Sequence, residues 1–329
     1  MGELLDTAKA LASPVEKLIE TVAGAIGTVY RPFNVRKMAD AKAYELEKIG
    51  ESLRKNRDIG FLYENGSITG SNMKNKDILK RVEDRIIYQE LKNQNNIDAV
   101  VNNAYKELKK ESKVSDNPVD EDWISRFFNI IKDINSKSMQ FIWGKILAGE
   151  IKSPGSFSLR TLEVIRNLSQ NDAKSFQKII PIVLKFHGYN IISQNMDILE
   201  KYNIVYHDLL VLDECGLIKM KSDIGINVSI SKAQEIYSQN RILFFKEAEK
   251  SSCNLTYRTY PLTSAGQELY SILNKKSNTD YIIDFAKDVV QENSKLKMEA
   301  SIHKIDYISE DNSITFSKET IFSIRTENV

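Results

Sequence analysis

Apolar residues recur every three or four positions through most of the first half of the chain. The repeat covers residues 3–55 and 77–150, and a polar stretch over residues 56–76 with several glycines separates them. Positions at this spacing share one face of a helix, so the pattern predicts two sets of amphipathic helices joined by a flexible loop. The strongest stripe is aromatic and apolar, and its members are Trp123, Ile124, Phe127, Phe128, Ile131 and Ile134.

The first helix carries an apolar stripe that has two interpretations. Its members are Val15, Leu18, Ile19, Val22, Ile26 and Val29. Globular helices usually bury such a stripe, which favours packing against the other helices of the bundle. The alternative is a membrane or oligomer contact. Glu16 and Glu20 on the polar side weaken the membrane version, because interfacial helices are usually basic there.

After Gly155 the apolar segments become shorter and turns become frequent. Residues 207–216 read as a helix that ends at a glycine, and residues 280–291 read as a further helix. Residues 217–220 read as a strand, as do residues 241–246 and 254–260, which are rich in β-branched and aromatic residues. Residues 298–308 and 313–316 read as a terminal hairpin. Leu262–Leu269 has the order L-T-x-x-G-x-x-L, in which Thr263 can cap a helix and Gly266 is an unfavourable residue for its first turn. This order resembles the end of winged-helix domains.

These patterns together predict a mainly α protein. Residues 1–155 would form a bundle of long helices, and residues 156–329 a smaller α+β winged-helix-like domain that closes with a C-terminal hairpin. The candidate recognition helix of that domain carries Asp208, Asp213 and Glu214 and has no Lys or Arg. An acidic helix repels phosphate, so a protein-interaction module is favoured over a DNA reader.

Composition excludes few classes of protein. The chain has 329 residues, with 46 Lys and Arg against 45 Asp and Glu, so its overall charge does not attract nucleic acid or anionic membrane. The only cysteines are Cys215 and Cys253, and no segment resembles a secretory signal. We therefore expect a cytoplasmic protein, and a peripheral contact with the inner membrane remains the alternative.

A local basic region is the best candidate for an anion contact. Cations outnumber carboxylates between residues 31 and 57, and Arg31, Arg36 and Lys37 lead this stretch. The ordinary interpretation is a solvated helix surface, and the functional one is a contact for phosphate groups. Arg160 is a further candidate at the start of a later helix, although it could instead bind loop carbonyls or pair with a carboxylate such as Glu150.

The residues that usually carry enzyme chemistry do not cluster along the chain. The three histidines are far apart, and no phosphate-binding loop or nucleophile elbow is present. Gly24 and Gly27 lie inside a helical repeat and not after a strand, so they favour close helix packing over a nucleotide loop. We expect no catalytic residue, no cofactor and no metal, while a nuclease site built from scattered carboxylates stays open.

Two segments carry a resemblance to a known family. One is residues 29–43, with Val29-Tyr30-Arg31-Pro32, and the other is residues 143–162, whose motif includes Trp143, Gly149, Pro154 and Gly155 at the junction of the two halves. They resemble the bacterial DUF2806 family, a domain of unknown function, and the N-terminal part is distantly similar to abortive-infection alpha proteins. The similarity covers roughly the first 190 residues and, more weakly, Leu262–Leu269.

The resemblance implies bacterial origin and a role in defence against phage. On that basis we expect a non-enzymatic, abortive-infection-like protein whose C-terminal domain senses or binds a partner protein. The helical half would oligomerise or act at the membrane. The competing hypothesis is a nucleic-acid-binding winged-helix protein or a cryptic nuclease.

Overall fold

The chain divides into two compact units, Met1–Phe157 and Ser158–Val329. The computed structural model describes residues 14–26, 61–64, 67–70, 76–221, 225–229, 233–247, 254–273, 277–309 and 313–326.

Four helices lie in the described part of the first unit, namely α1 (Pro14–Ile26), α2 (Lys76–Leu108), α3 (Glu121–Ile131) and α4 (Lys137–Lys152). The helical periodicity over residues 77–150 is thus confirmed. The loop predicted over residues 56–76 is wrong in part, because β1 (Phe61–Glu64) and β2 (Ser67–Gly70) form an antiparallel hairpin there.

Aromatic packing of α3 against α4 forms the centre of the first unit. The ring centroids of Trp123 and Phe127 are 5.0 Å apart, and those of Phe127 and Trp143 are 5.6 Å apart in an edge-to-face arrangement. Close approach of α2 and α4 adds to this core, since a Cβ on Gly144 would lie 2.5 Å from the Cβ of Asn103. The predicted aromatic stripe is therefore the main apolar core of this unit.

The second unit contains far more sheet than the sequence pattern predicts. Its elements are α5 (Leu159–Arg166), α6 (Gln170–Ile179), a 3-10 turn (Ile180–Ile182), β3 (Leu184–Phe186), β4 (Tyr189–Ser193), α7 (Met196–Lys201), α8 (Tyr206–Glu214), β5 (Gly225–Ser229), β6 (Gln234–Tyr237), β7 (Arg241–Glu247), β8 (Asn254–Pro261), α9 (Ser264–Ile272), α10 (Thr279–Glu292), β9 (Met298–Ile308) and β10 (Ile314–Arg325). The strands form one eight-stranded antiparallel sheet in the order β10-β9-β7-β6-β3-β4-β8-β5.

This sheet overturns the predicted fold class. A mainly α chain with a small winged-helix-like domain is wrong, because the segment with the winged-helix order contributes its strands to a much larger sheet. Strands β3, β4, β5 and β6 are only three to five residues long, too short for period-2 alternation to be distinguished from helix or loop. The longer strands β7 and β8 were predicted correctly, and the terminal hairpin was predicted with too short a second strand.

Local signals around Gly216 and Thr263 position α8 and α9. Gly216 ends the α8 segment with φ +71°, a left-handed conformation that glycine adopts without strain. The Thr263 hydroxyl accepts a hydrogen bond from the Gly266 N–H at 3.1 Å and so caps α9 as predicted. Of the strand predicted at residues 217–220, only an isolated bridge between Ile218 and Leu262 forms.

Helix α10 packs against strands β7 to β10. Its Phe285 ring lies 5.0 Å from the ring of Tyr257 on β8, and its Lys287 ammonium lies 5.6 Å from the ring of Phe322 on β10. Phe285 and Val289 lie on the inner side of α10, and both side chains are fully buried. The helix therefore supplies much of the core of the second unit.

Candidate interaction surface

Helix α8 presents an apolar surface to solvent. Leu209 and Leu212 face the interior and are fully buried, whereas Tyr206 is 53% exposed and Leu210 is 38% exposed. Tyr206 and Leu210 are four residues apart and therefore neighbours on one helix face. Val205, immediately before the helix, is exposed as well. A tyrosine and two aliphatic side chains thus form one accessible patch, which we call the α8 surface.

A buried carboxylate fixes the beginning of α8. The Asp208 side chain is only 4% exposed and accepts hydrogen bonds from the Ser175 hydroxyl at 2.8 Å and from the Val205 N–H at 3.2 Å. Lys178 on α6 donates to both of its oxygens at 2.8 Å. Burial acts to raise the pKa of Asp208, but the hydrogen bonds from Lys178, Ser175 and Val205 outweigh it and the pKa lies below its ordinary value. Charged hydrogen bonds therefore anchor the helix that carries the α8 surface to α6.

Carboxylates gather at the other end of α8. Burial raises the pKa of the Cys215 thiol to about 11, with additional contributions from Asp172 and Glu214. The pKa of Tyr260 on β8 is raised by burial and then by Tyr206 and Asp213. A thiol with so high a pKa is protonated at neutral pH and is a poor nucleophile. The Cys215 thiol at this end of the helix is therefore unreactive and lies beside two carboxylates, Asp172 and Glu214.

A buried polar network lies elsewhere in the second unit and escaped prediction. The Ser193 and Tyr257 hydroxyls are 2.6 Å apart, and the Tyr257 hydroxyl donates to the Asp288 carboxylate. Asn195 donates its side-chain N–H to the other Asp288 oxygen at 2.8 Å. Burial and the hydrogen bond to Asp288 raise the pKa of Tyr257, so this phenol is a hydrogen-bond donor at neutral pH and not a base. The network fixes α10 to β4 and β8.

The α1 stripe is buried within the first unit where the structure describes it. Leu18 and Val22 have no exposed surface, and Val15 and Ile19 are half-buried. The Ile26 side chain and Val29 lie outside the described residues. Lys17, which the sequence did not single out, is also buried and donates hydrogen bonds to the carbonyl oxygens of Ser115 and Asn117. These contacts favour the bundle-packing interpretation of α1.

Gly24 does not have the packing role predicted for it. It is exposed, and a Cβ at this position would meet no atom within 4 Å. Close packing of helix backbones instead occurs at Gly144, where a Cβ would lie 3.0 Å from both the Ala104 nitrogen and the Val100 carbonyl oxygen. The close-packing interpretation is therefore wrong for Gly24, and Gly27 lies outside the described residues.

The candidate anion contacts do not come together in the described residues. Arg31, Arg36 and Lys37 lie outside them, and Arg160 is exposed without a hydrogen bond or ion pair to any residue that the structure describes. The expected tie to the loop is made by Glu150 instead. Its carboxylate is 1% exposed and accepts hydrogen bonds from the backbone N–H groups of Gly155 at 2.6 Å and Phe157 at 3.0 Å.

The motif residues around this loop have separate structural roles. Trp143 is fully buried. Gly149 is half-buried in α4, and the Gly149 carbonyl accepts a hydrogen bond from the Ser153 N–H at the end of that helix. Pro154 is half-buried, and Gly155 has φ +87°, which a residue with a Cβ rarely adopts. The motif therefore builds the turn after α4, and the boundary between the two units follows at Phe157.

The part of the chain that the structure describes contains neither a metal-binding cluster nor a helix suited to cross a membrane. There, no group of three His, Cys, Asp or Glu side chains is placed to hold a metal ion. Among the same residues, no helix combines the length and apolar character that crossing a bilayer requires.

The fold and the surface define an α+β protein with a helical unit, a unit built on an antiparallel sheet, and an exposed apolar helix face. Comparison with known proteins places it more narrowly. Residues 80–286 match the family described as "Protein of unknown function (DUF2806)", and the chain belongs to that family. Residues 29–43, which carry the resemblance to abortive-infection proteins, lie outside the match. No curated protein and no solved structure matches the chain.

Proposed function

We propose that this chain is a non-enzymatic anti-phage defence protein of bacteria, similar in action to abortive-infection proteins. In this proposal the second unit binds a partner protein through the α8 surface. The helical unit then oligomerises or acts at a membrane. The observation that carries the proposal is the exposure of Tyr206 and Leu210 on a helix that is otherwise firmly anchored.

The composition of the α8 surface supports a protein partner. Tyrosine is enriched at the energetic centres of protein interfaces, and burying a leucine side chain contributes about 1.5–3 kcal/mol. Residues Tyr206–Glu214 include no lysine or arginine, although a helix that reads DNA must present cations and polar groups to the groove. The surface therefore favours a protein partner over nucleic acid.

Exposed apolar side chains on α2 support the proposed oligomerisation of the helical unit. Val82 and Ile86 are exposed and four residues apart, so they are neighbours on one face of the helix. The α1 stripe, in contrast, contributes Leu18 and Val22 to the interior, so using it at a membrane would require these contacts to break. Oligomerisation through α2 leaves the interior of the unit intact.

A phage challenge with matched variants tests the proposal. A bacterial strain that depends on this gene for defence would be complemented with the intact chain, with Tyr206→Ser plus Leu210→Ser, or with Tyr307→Ser plus Ile308→Ser as a control. Tyr307 is 61% exposed and Ile308 is 42% exposed, so the control removes similar apolar surface from β9. We expect the α8 pair to abolish protection and the β9 pair to retain it.

Two results would contradict the proposal. One is full protection by the α8 pair at equal protein level. The other is tight DNA binding by the purified chain whose affinity falls steeply with salt and follows protection across the variants, because phosphate contacts produce that salt dependence. That second result would establish the nucleic-acid hypothesis instead.

A further inference from the structure

We infer that the α8 surface binds a protein segment in which an apolar anchor is followed by lysine or arginine. The anchor would contact Tyr206 and Leu210, and the basic residue would lie beside Glu214. This inference rests on the proposed function and specifies the chemistry of the partner.

The apolar part of the inference follows from the geometry of α8. Tyr206, Leu210 and Glu214 are separated by four residues each, so they form one stripe that ends in a carboxylate. Leu209 and Leu212 are fully buried on the opposite side, and Asp208 fixes the start of the helix, so the stripe keeps its direction toward solvent. A partner segment whose apolar side chain covers Tyr206 and Leu210 thus places its following residues beside Glu214.

The charged part of the inference follows from three carboxylates near the end of α8, two on that helix and one on α6. Asp213 accepts the Met220 N–H at 2.8 Å, Glu214 is exposed, and Asp172 approaches Cys215 from α6. The charged groups that raise the pKa of Cys215 are Asp172 and Glu214, both acidic. The C-terminal end of a helix also carries partial negative charge, which favours a nearby cation.

A like-charged partner is disfavoured for the same reasons. An acidic segment seated on Tyr206 and Leu210 would bring its carboxylates toward Glu214 and the helix terminus, and juxtaposed like charges suppress wrong partners. Nucleic acid would meet the same repulsion through its phosphates. The carboxylate end of the α8 surface therefore attracts lysine or arginine and repels anions. Together with the apolar residues, it selects protein segments that are both apolar and basic.

Selection from a displayed library of random peptides tests the inference with the full chain. The Tyr206→Ser plus Leu210→Ser variant serves for counter-selection, and its unfolding midpoint is compared with that of the intact chain to show that it folds. We expect the enriched peptides to share an apolar residue close to lysine or arginine. Fluorescence anisotropy with a synthetic copy of an enriched peptide then gives its Kd.

Charge reversal supplies the decisive comparison. Glu214→Lys should weaken binding of the basic peptide roughly tenfold, a change of about 1.4 kcal/mol. Glu319→Lys on β10 adds the same charge at another exposed position and should leave the Kd unchanged. Enrichment of acidic or uncharged peptides, no enrichment over the counter-selection, or equal effects of the two reversals would overturn the inference.

The outcomes separate this inference from the proposed function. Loss of phage protection in the α8 pair together with selection of acidic peptides would retain the proposed function and reject the basic partner. Selection of basic peptides together with full protection by the α8 pair would support the binding chemistry and reject its role in defence.

Discussion

At the residue scale, the clearest discrepancy between sequence propensity and structure is Gly266. Glycine is unfavourable inside a helix, yet Gly266 lies in the first turn of α9. A Cβ at this position would lie 2.0 Å from the carbonyl oxygen of Leu217, which is backbone and cannot move aside easily. The glycine is therefore required by a close approach between the start of α9 and the segment after α8.

Replacement of this glycine tests that requirement. Gly266→Ala should lower the free energy of unfolding by about 3 kcal/mol or more, because the clash must be relieved by moving backbone. Gly24→Ala is the matched control, since Gly24 also lies in a helix but has open space around it. The control should raise stability by roughly 0.5–1 kcal/mol. Urea unfolding measures both, and similar effects of the two changes would contradict the packing argument.

Some residues could be predicted from the sequence and others could not. Trp123 and Phe127 belong to a strong helical repeat, so their place in the core was predictable. The role of the Glu150 carboxylate could not be predicted, because no sequence pattern shows that it accepts backbone N–H groups five and seven residues later. Contacts of this kind depend on the turn geometry that Gly155 provides.

At the element scale, the attachment of α8 to α6 depends on the ionised form of Asp208. The folded-state pKa of this group is lowered, so its stabilising contribution is present above the unfolded-state pKa of about 4. The contribution is lost as pH falls through the folded-state pKa. Acid should therefore weaken the anchoring of α8 to α6.

Asp208→Asn tests this dependence on charge. The variant should be less stable than the intact chain by about 1–2 kcal/mol at pH 7, because it loses the charged hydrogen bonds from Lys178. The difference should shrink as pH falls below the ordinary aspartate pKa of about 4, because the carboxylate of the intact chain gains its proton only below that value. Asp306→Asn, at an exposed position on β9, should show almost no difference. A difference for Asp208→Asn that is constant with pH would contradict the assigned role of the charge.

The elements of the second unit also show why the fold class was mispredicted. Helix α10 and strands β7 and β8 are long enough to show their periodicity and were recognised. The three-residue strand β3 joins β6 to β4 in the centre of the sheet, yet its sequence LKF shows almost no pattern. A sheet whose central strands are this short is specified by pairing between distant segments, and local periodicity does not report such pairing.

At the scale of the whole molecule, family membership says less about function than the α8 surface does. The family match identifies the chain over residues 80–286 but brings no established function. The α8 surface depends on which side of the helix packs inward, and the sequence predicts only that the helix is acidic. Its apolar residues Tyr206 and Leu210 became apparent as a surface once the packing of Leu209 and Leu212 was known.

Site-specific photocrosslinking in phage-challenged cells tests the central claim most directly. A photoreactive phenylalanine analogue would replace Leu210 in one strain and Ile308 in another, since both positions are exposed in the second unit. We expect a discrete crosslinked protein from position 210 that is absent from position 308 and disappears with Tyr206→Ser. No adduct from position 210, or the same adduct from position 308, would contradict the claim that the α8 surface binds a partner.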